Sequence, residues 1–304
     1  MRARLDRPPL DPARLHHELV LGGGPFTSVE VVEVTGSTNA DLVDAARQGA
    51  PDRRALLAEE QRAGRGRLRR GWESPPRAGL TLSVLFRPAE VPGTAWGWLP
   101  LLTGLALVRV VRERCGVHAA LKWPNDLLVG ADGAKCAGIL AEVAVPPAGP
   151  EGARNATGGQ RPAVVVGVGL NVTQEAEELP SRPGAVPATS LALQGATETD
   201  RTTLASAFLH ELADAERRWR DHSGDVRRSG QLATYRERCA TLGTRVRLDL
   251  PGGGCVTGVA EDVDDLGQLV LRTDDGACAH YPAGDVHHLR AETRPSGAGG
   301  RSGT

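Results

Sequence analysis

The sequence predicts an α/β (α+β) protein in two parts: a large domain of interspersed strands and helices, then a small C-terminal β-barrel. Three observations predict it. Over roughly the first 240 residues, β-branched runs alternate with segments of helical apolar spacing. After Leu242 the pattern changes to short β-like runs separated by Gly and Asp turns. The chain has 304 residues and is 40% hydrophobic, which suits one large domain plus a small one around a sizeable core. The expected boundaries are 1–240 for the large domain, 241–292 for the barrel and 293–304 for a Ser/Gly-rich tail of disordered composition.

The elements follow in order. Asp11-Pro12 reads as an N-cap and first-turn proline, opening a short helix with Leu15 and Leu19 inward. Val29 to Val34 is β-branched and predicts a strand. Ser37 or Thr38 caps a helix from Ala40 to Gln48, closed by Gly49. Ala55 to Glu60 predicts a strand, Gly64 to Gly71 a basic loop, and Leu80 to Phe86 a strand ended by Pro88. Trp96 to Cys115 has helical spacing. Ala119 to Lys122, Asp126 to Val129 and Cys136 to Val145 predict strands, the last two joined by a turn at Ala131-Asp132-Gly133. Residues 146 to 162 are rich in Pro, Gly and Ala and predict a loop excursion. Ala163 to Val172 predicts an apolar strand. Leu204, Phe208, Leu212, Ala215 and Trp219 mark one face of a long helix, and a further helix reaches Arg238. The barrel runs are Arg245 to Leu250, Cys255 to Val263, Leu269 to Thr273, Cys278 to Tyr281 and Val286 to Leu289.

Charge and cysteine content narrow the function. The formal net charge is -1, so no global field favours nucleic acid or a membrane surface. The N-terminus carries arginines with no apolar run behind them, which argues against a secretory signal. No apolar stretch is expected to reach the roughly 18 residues of a membrane span; Leu99 to Val111 is short and contains Arg109. Five cysteines, an odd count without Cys-x-x-Cys spacing, indicate neither a disulfide framework nor a structural zinc site. A reducing cytoplasm is the expected location. Of 36 basic residues only two are lysine, Lys122 and Lys135. A chain that uses arginine almost everywhere keeps lysine where a compact ammonium does something guanidinium cannot. Those two residues are therefore candidates for one site.

Five segments carry chemistry, two of them around these lysines. In Gln61-Arg62-Ala63-Gly64-Arg65-Gly66-Arg67-Leu68-Arg69-Arg70-Gly71-Trp72, glycines let backbone N–H groups approach an anion and arginines add forked donors. Trp72 suits stacking on a flat base. The same run also reads as a solvated or RNA-binding stretch. Lys122-Trp123-Pro124-Asn125-Asp126 follows a strand, and Pro124 would aim Lys122, Asn125 and Asp126 outward from its end; an ordinary surface turn is the plainer reading. Lys135 to Glu142 starts a strand in which period-two alternation puts Lys135, Ala137 and Ile139 on one face. Gly138 there, and Gly167 and Gly169 in Gly-Val-Gly-Leu-Asn171, suggest close approach of ligand or backbone. Gly36-Ser37-Thr38-Asn39 joins strand to helix and serves as a cap, a ligand contact, or both.

In this order, Gly-Ser-Thr-Asn, Gln-x-x-Gly-Arg-Gly-Arg with a following Trp, Lys-Trp-Pro-Asn-Asp, Lys-x-x-Gly-Ile-Leu-x-Glu and a glycine strand ending in Asn resemble the biotin protein ligase family across roughly residues 30 to 290. The resemblance implies a mixed-sheet catalytic domain of the class II aminoacyl-tRNA synthetase/biotin ligase type, with an SH3-like C-terminal barrel. It implies ATP-dependent attachment of biotin, through biotinyl-5′-AMP, to a lysine of a biotin carboxyl carrier domain of acyl-CoA carboxylases. Arg67, Lys135 and Lys122 would be catalytic. Ser37, Thr38, Asn39, Gln61, Gly64, Arg65, Arg67, Lys135 and Gly138 would bind biotin. Arg65, Arg67, Arg70, Trp72, Asn125, Lys135 and Asn171 would bind ATP or AMP, with Mg²⁺ on the phosphates and Asp126 as a further candidate ligand. The arginine loop would order over the ligand and shield the adenylate from water.

Two departures stand out. Arg69 occupies a position where the family loop usually has glycine. About 28 residues precede Val29, too few for the winged helix-turn-helix of repressor members, so a ligase without nucleic-acid binding is expected, as monomer or homodimer. A lipoyl or octanoyl transferase or ligase of the same fold is the alternative enzyme, and a biotinyl-AMP-binding regulator the alternative without catalysis.

Overall fold

The computed structural model describes residues 7–145, 162–181 and 185–289. The expected tail at 293–304, and all of the 146–162 excursion except Pro162, lie outside those residues.

Seven strands, β1 (Ser28–Thr35), β2 (Arg54–Gln61), β3 (Gly79–Phe86), β4 (Ala119–Lys122), β5 (Asp126–Val129), β6 (Ala134–Ala144) and β7 (Ala163–Asn171), form one sheet of order β1-β2-β3-β7-β6-β5-β4. β1 and β2 are parallel; the other neighbours are antiparallel, so the sheet is mixed. Five helices accompany it: α1 (Pro12–Leu19), α2 (Thr38–Arg47), α3 (Leu99–Cys115), α4 (Arg201–Asp221) and α5 (Gln231–Arg238). Asp11 caps α1 by accepting from the Arg14 N–H, and Ser37 caps α2. A second, antiparallel sheet follows: β8 (Arg245–Asp249), β9 (Cys255–Val263), β10 (Leu269–Thr273), β11 (Cys278–Tyr281) and β12 (Asp285–His288), ordered β11-β10-β9-β8-β12.

The seven-stranded sheet is covered unequally. One face carries Leu57, Leu82, Val84, Ile139, Val166 and Val168 into a continuous core with Leu107 of α3 and Phe208 of α4. On the other face α2 covers only one end, where Leu42 and Ala46 meet Leu56, Leu85 and Val165. Alternation along β3, β6 and β7 then leaves Thr81, Gly138, Gly167 and Gly169 on the part of that face beside α2. Trp123 joins the two sheets: it is buried, and its indole N–H donates to the Gly267 carbonyl at 3.0 Å. Burying such a side chain contributes about 2–3 kcal/mol.

Two expectations need correction. A continuous helical run from Gly93 to Cys115 extends the apolar segment to 23 residues, long and apolar enough by length and composition to cross a membrane. The sequence reading took helical spacing from Trp96 to Cys115 but counted the apolar stretch only from Leu99 to Val111, and so left out the 3-10 turns from Gly93. Its place is against the sheet, with 67% of its apolar window buried, as befits a core helix. The second concerns Lys135. The ladder pairs Leu127 with Ala137 but Leu128 with Lys135, so Cys136 is an extra residue, a β-bulge. One inserted residue reverses the alternation. Lys135 therefore shares a face with Asp126 and Gly138, while Ala137 and Ile139 face the core. Cys136 is buried, and its thiol donates to the Asn171 carbonyl at 3.3 Å.

Candidate active site

The open face has a glycine floor. Gly138 and Gly169 pair across β6 and β7, and the Trp72 ring lies on them. A Cβ on Gly169 would sit 2.2 Å from Trp72 Cε2, and one on Gly138 would sit 3.3 Å from Cζ3. The Gly169 contact leaves no room for a side chain while the ring stays there, and the Gly138 contact is tight. One step along β7, a Cβ on Gly167 would be 2.1 Å from Asn39 Oδ1. A cleft lined by Glu59, Gln61, Trp72, Ser74, Gly79 and Thr81 opens beside the ring.

At the α2 end of the floor stands a polar cluster. Thr38 donates its backbone N–H to Gln61 Oε1 at 2.8 Å, and its hydroxyl lies 3.0 Å from the same atom and 2.7 Å from Ser83 Oγ. Ser37, Thr38 and Asn39 are all buried. Asn39 corrects an expectation. Its amide donates to the Leu140 carbonyl and to Glu142 Oε2, and its oxygen accepts from Ser83. With both ends of its amide engaged, it supports the cluster rather than offering groups to a ligand. Asn171 is engaged in the same way, donating to the Thr189 carbonyl at 2.9 Å and accepting from Gln174 at 3.2 Å.

At the other end the cations gather. Lys135 Nζ lies 2.6 Å from Asp126 Oδ1. Lys122 is 5% exposed, which overturns its expected outward aim: the β4 end is roofed by the segment after α5, where Ala240 donates to the Leu121 carbonyl and Thr241 accepts from the Trp123 N–H. Burial pushes the Lys122 ammonium below its ordinary value; Asp126 and Asp285 oppose that, while Lys135 and Arg70 add to it. Burial likewise lowers Arg67.

The arginine loop is tied down at both sides. Gly66 donates to the Arg70 carbonyl at 2.7 Å and Trp72 to the Gly64 carbonyl at 2.9 Å, closing a tight hairpin. A Cβ on Gly64 would meet the Trp72 carbonyl oxygen at 2.3 Å, so glycine is required there. The loop's left-handed residue is Leu68, at φ 54°. Arg67 Nη1 donates to Asn125 Oδ1 and to the Gly284 carbonyl, each at 3.2 Å. Arg70 pairs with Asp285. Burial alone would raise the Asp285 carboxyl, but the Arg70 hydrogen bond and the charges of Arg70, Lys122 and His287 outweigh it and hold it low. Arg65 is exposed. The Arg69 side chain lies outside the described residues.

Most of the expected site residues thus converge on one face: Thr38, Gln61 and Gly64 at one end, Trp72 and Gly138 on the floor, and Arg67, Lys122, Asn125, Asp126 and Lys135 at the other. Sequence reading missed Ser83, Glu142, Gly284 and Asp285. Ser83 and Glu142 follow from strand alternation once the register is known; Asp285 has no local signal. Among the described residues no group of three or more His, Cys, Asp or Glu could hold a metal ion. Asp126, the candidate ligand, is paired with Lys135.

Residues 31–146 match the model of the biotin/lipoate A/B protein ligase family, and residues 241–289 match the biotin protein ligase C-terminal domain. The chain is 45% identical over 288 residues to the biotin–[acetyl-CoA-carboxylase] ligase of Mycobacterium tuberculosis, covering 93% of this chain and 97% of that one. It is 31% identical over 251 residues to a bifunctional ligase/repressor of Bacillus subtilis, covering 83% of this chain and 71% of that one. Among solved structures, the biotin protein ligase of Aquifex aeolicus in complex with biotin and ATP superposes with a TM-score of 0.68 at 25% identity, covering 88% of this chain and all of that one.

Proposed function

The chain belongs to the biotin protein ligase family, and from that premise we propose that its glycine-floored face adenylates biotin with ATP. The biotinyl group then passes to a lysine of the carboxyl carrier domain of an acyl-CoA carboxylase. The observation that carries this reading is the placement of Trp72 and Lys135 at the Gly138–Gly169 floor, with Arg67 fastened to Asn125 at one end and the polar cluster of Thr38 and Gln61 at the other. A long ligand with a polar neutral head and an anionic tail fits that gradient. Lipoate and octanoate have no ureido group to match the buried Thr38 hydroxyl and the half-buried Gln61 amide, which favours biotin over them.

In the first step the biotin carboxylate attacks the α-phosphate and pyrophosphate leaves. An anion meets a polyanion, so fixed cations must offset repulsion and stabilise the developing charge. Lys135 supplies the charge nearest the glycine floor, where Asp126 and the bulge hold it. Arg67, oriented by Asn125 and the Gly284 carbonyl, supplies a second. Lys122 adds a buried positive charge behind them, and Arg65 and Arg70 face the polyphosphate. Trp72 flanks the nucleotide, Asn171 supports the end of the glycine strand behind it, and Ser37, Thr38, Gln61 and Gly64 take the head group. In the second step the carrier amine attacks the mixed anhydride and AMP leaves. Mg²⁺ would come with ATP on its phosphates and help neutralise their charge, with Asp126 as the candidate protein ligand.

Residues 1–240 are read as the catalytic part and 241–292 as the SH3-like part. The near-zero charge gives no basis for nucleic-acid binding. All five cysteines are free, three of them buried, which suits a reducing cytoplasm. Biotin should drive ATP–pyrophosphate exchange; equal or greater exchange with lipoate or octanoate would reject the assignment.

A further inference from the structure

The hydrogens of the polar cluster run in one direction only, and Glu142, at the far end of the chain of contacts from Thr38, sets it. Asn39 Nδ2 faces two atoms that can only accept, the Leu140 carbonyl at 3.2 Å and Glu142 Oε2 at 2.8 Å. Its NH₂ must point there, and its oxygen must point the other way, to Ser83 Oγ at 2.6 Å. An amide oxygen cannot donate, so Ser83 spends its only hydrogen on Asn39. Thr38 Oγ1 lies 2.7 Å from Ser83 Oγ and 3.0 Å from Gln61 Oε1. Neither can give it a hydrogen, so the Thr38 hydroxyl hydrogen is directed at one or the other, into the protein. Only lone pairs of Thr38 remain for a ligand. Gln61, with Oε1 turned to the Thr38 N–H at 2.8 Å, presents its NH₂ on the opposite side. Space for this order comes from Gly167, whose Cβ would otherwise strike Asn39 Oδ1.

We propose that Glu142, acting through Asn39 and Ser83, is a positioning residue that makes the Thr38 hydroxyl an obligate acceptor for a ureido N–H of the substrate. This rests on the assignment of biotin as substrate. A cyclic urea shows N–H donors beside a carbonyl acceptor, and Thr38 and the Gln61 NH₂ offer the complementary acceptor and donor. Were Asn39 turned over, its NH₂ would donate to Ser83 and Ser83 to Thr38. Thr38 would then spend a lone pair on Ser83, its hydrogen would be held by Gln61 Oε1 alone, and less acceptor capacity would face the substrate's N–H. Glu142 holds the amide by providing the shorter of its two acceptor contacts, from β6.

The test is a cycle of ligand and protein changes, read by calorimetry. Glu142→Ala should weaken biotin binding on the order of tenfold, the weight of one hydrogen bond, with the KM for ATP unchanged. Glu142→Gln keeps an acceptor for Asn39 and should restore affinity to within about twofold. Biotin methylated at each ureido nitrogen in turn should bind the wild type on the order of tenfold more weakly at one position. Most of that penalty should vanish in Glu142→Ala, because the steric part is common to both proteins and cancels. An unchanged biotin affinity in Glu142→Ala, or an equal methylation penalty in both proteins, overturns the proposal. If Glu142→Ala does not fold, the wild type and Thr38→Val decide: a methylation effect below about twofold, or one that Thr38→Val leaves intact, also overturns it. A wild-type protein that binds no biotin rejects the substrate assignment instead.

Discussion

Arg67 donates through Nη1 to the side-chain oxygen of Asn125 at 3.2 Å, which fastens the arginine loop to the turn that follows Lys122. The same nitrogen reaches the Gly284 carbonyl, and Arg70 pairs with Asp285 one residue further on. Two segments about 60 residues apart, and a third more than 200 residues from the loop, thus meet around one set of cations.

That clamp predicts the behaviour of the loop. Asp285→Asn removes the charge that holds Arg70. We expect faster tryptic cleavage between Arg65 and Arg70, and a higher KM for ATP, with little change in stability because Arg70 is half exposed. Unchanged cleavage would show that Gly284 and the hairpin bonds suffice.

The two lysines should fail differently. Lys135 lies beside the floor with room around it, so Lys135→Arg should keep the fold and lose most adenylation, about 2–4 kcal/mol, as for a lost oxyanion donor. Guanidinium is broader and planar, and cannot take the place of an ammonium set by the bulge. Lys122 is 5% exposed, so Lys122→Arg must force a larger group beneath the C-terminal segment. It should lower the melting temperature as well as activity, by about 1–3 kcal/mol. Single-turnover formation of biotinyl-AMP, with thermal melts as control, separates them. A fully active Lys135→Arg protein would remove that residue from the site.

The floor glycines should divide the two substrates. Gly167→Ala pushes on Asn39, so it should raise the KM for biotin more than tenfold and leave ATP nearly untouched. Gly169→Ala displaces Trp72, so ATP should suffer the larger loss. Equal effects on both substrates from either variant would mean that the floor acts as one unit.

His288 predicts a pH dependence. It lies 3.2 Å from the Thr241 hydroxyl, and burial, then the Lys122 charge, lowers it below 6.5. The folded state therefore binds a proton less readily than the unfolded chain. This contribution to stability is present above pH 6.5 and is lost as pH falls from there through the lowered folded value. His288→Gln should flatten that limb of the stability curve. An identical acid limb in the variant would assign it to other groups.

How much of this was legible in sequence depends on the range of the interaction. The arginine loop, the Lys-Trp-Pro-Asn-Asp turn and the glycine strand were readable because each is a local run whose residue types are unusual together. Strand and helix positions were readable from apolar period, and Ser37 and Asp11 as caps from their place before a helix. The helix ending at Cys115 was readable too, but its 3-10 start at Gly93 was not, since those turns carry no periodic signal.

By itself the sequence determined the chemical content of the site: its scarce lysines, forked donors, close-approach glycines and stacking tryptophan. Only the tertiary structure decided where they point. Lys135 faces Asp126 because a bulge at Cys136 reverses the strand alternation, and a bulge is defined by the partner strand's register rather than by the bulged segment. Asn39 turns inward because Glu142, 103 residues away, offers it an acceptor. Asp285 reaches Arg70 because the second sheet packs over the end of the first. Periodicity and composition record neighbours along the chain, whereas these three outcomes depend on neighbours supplied by packing.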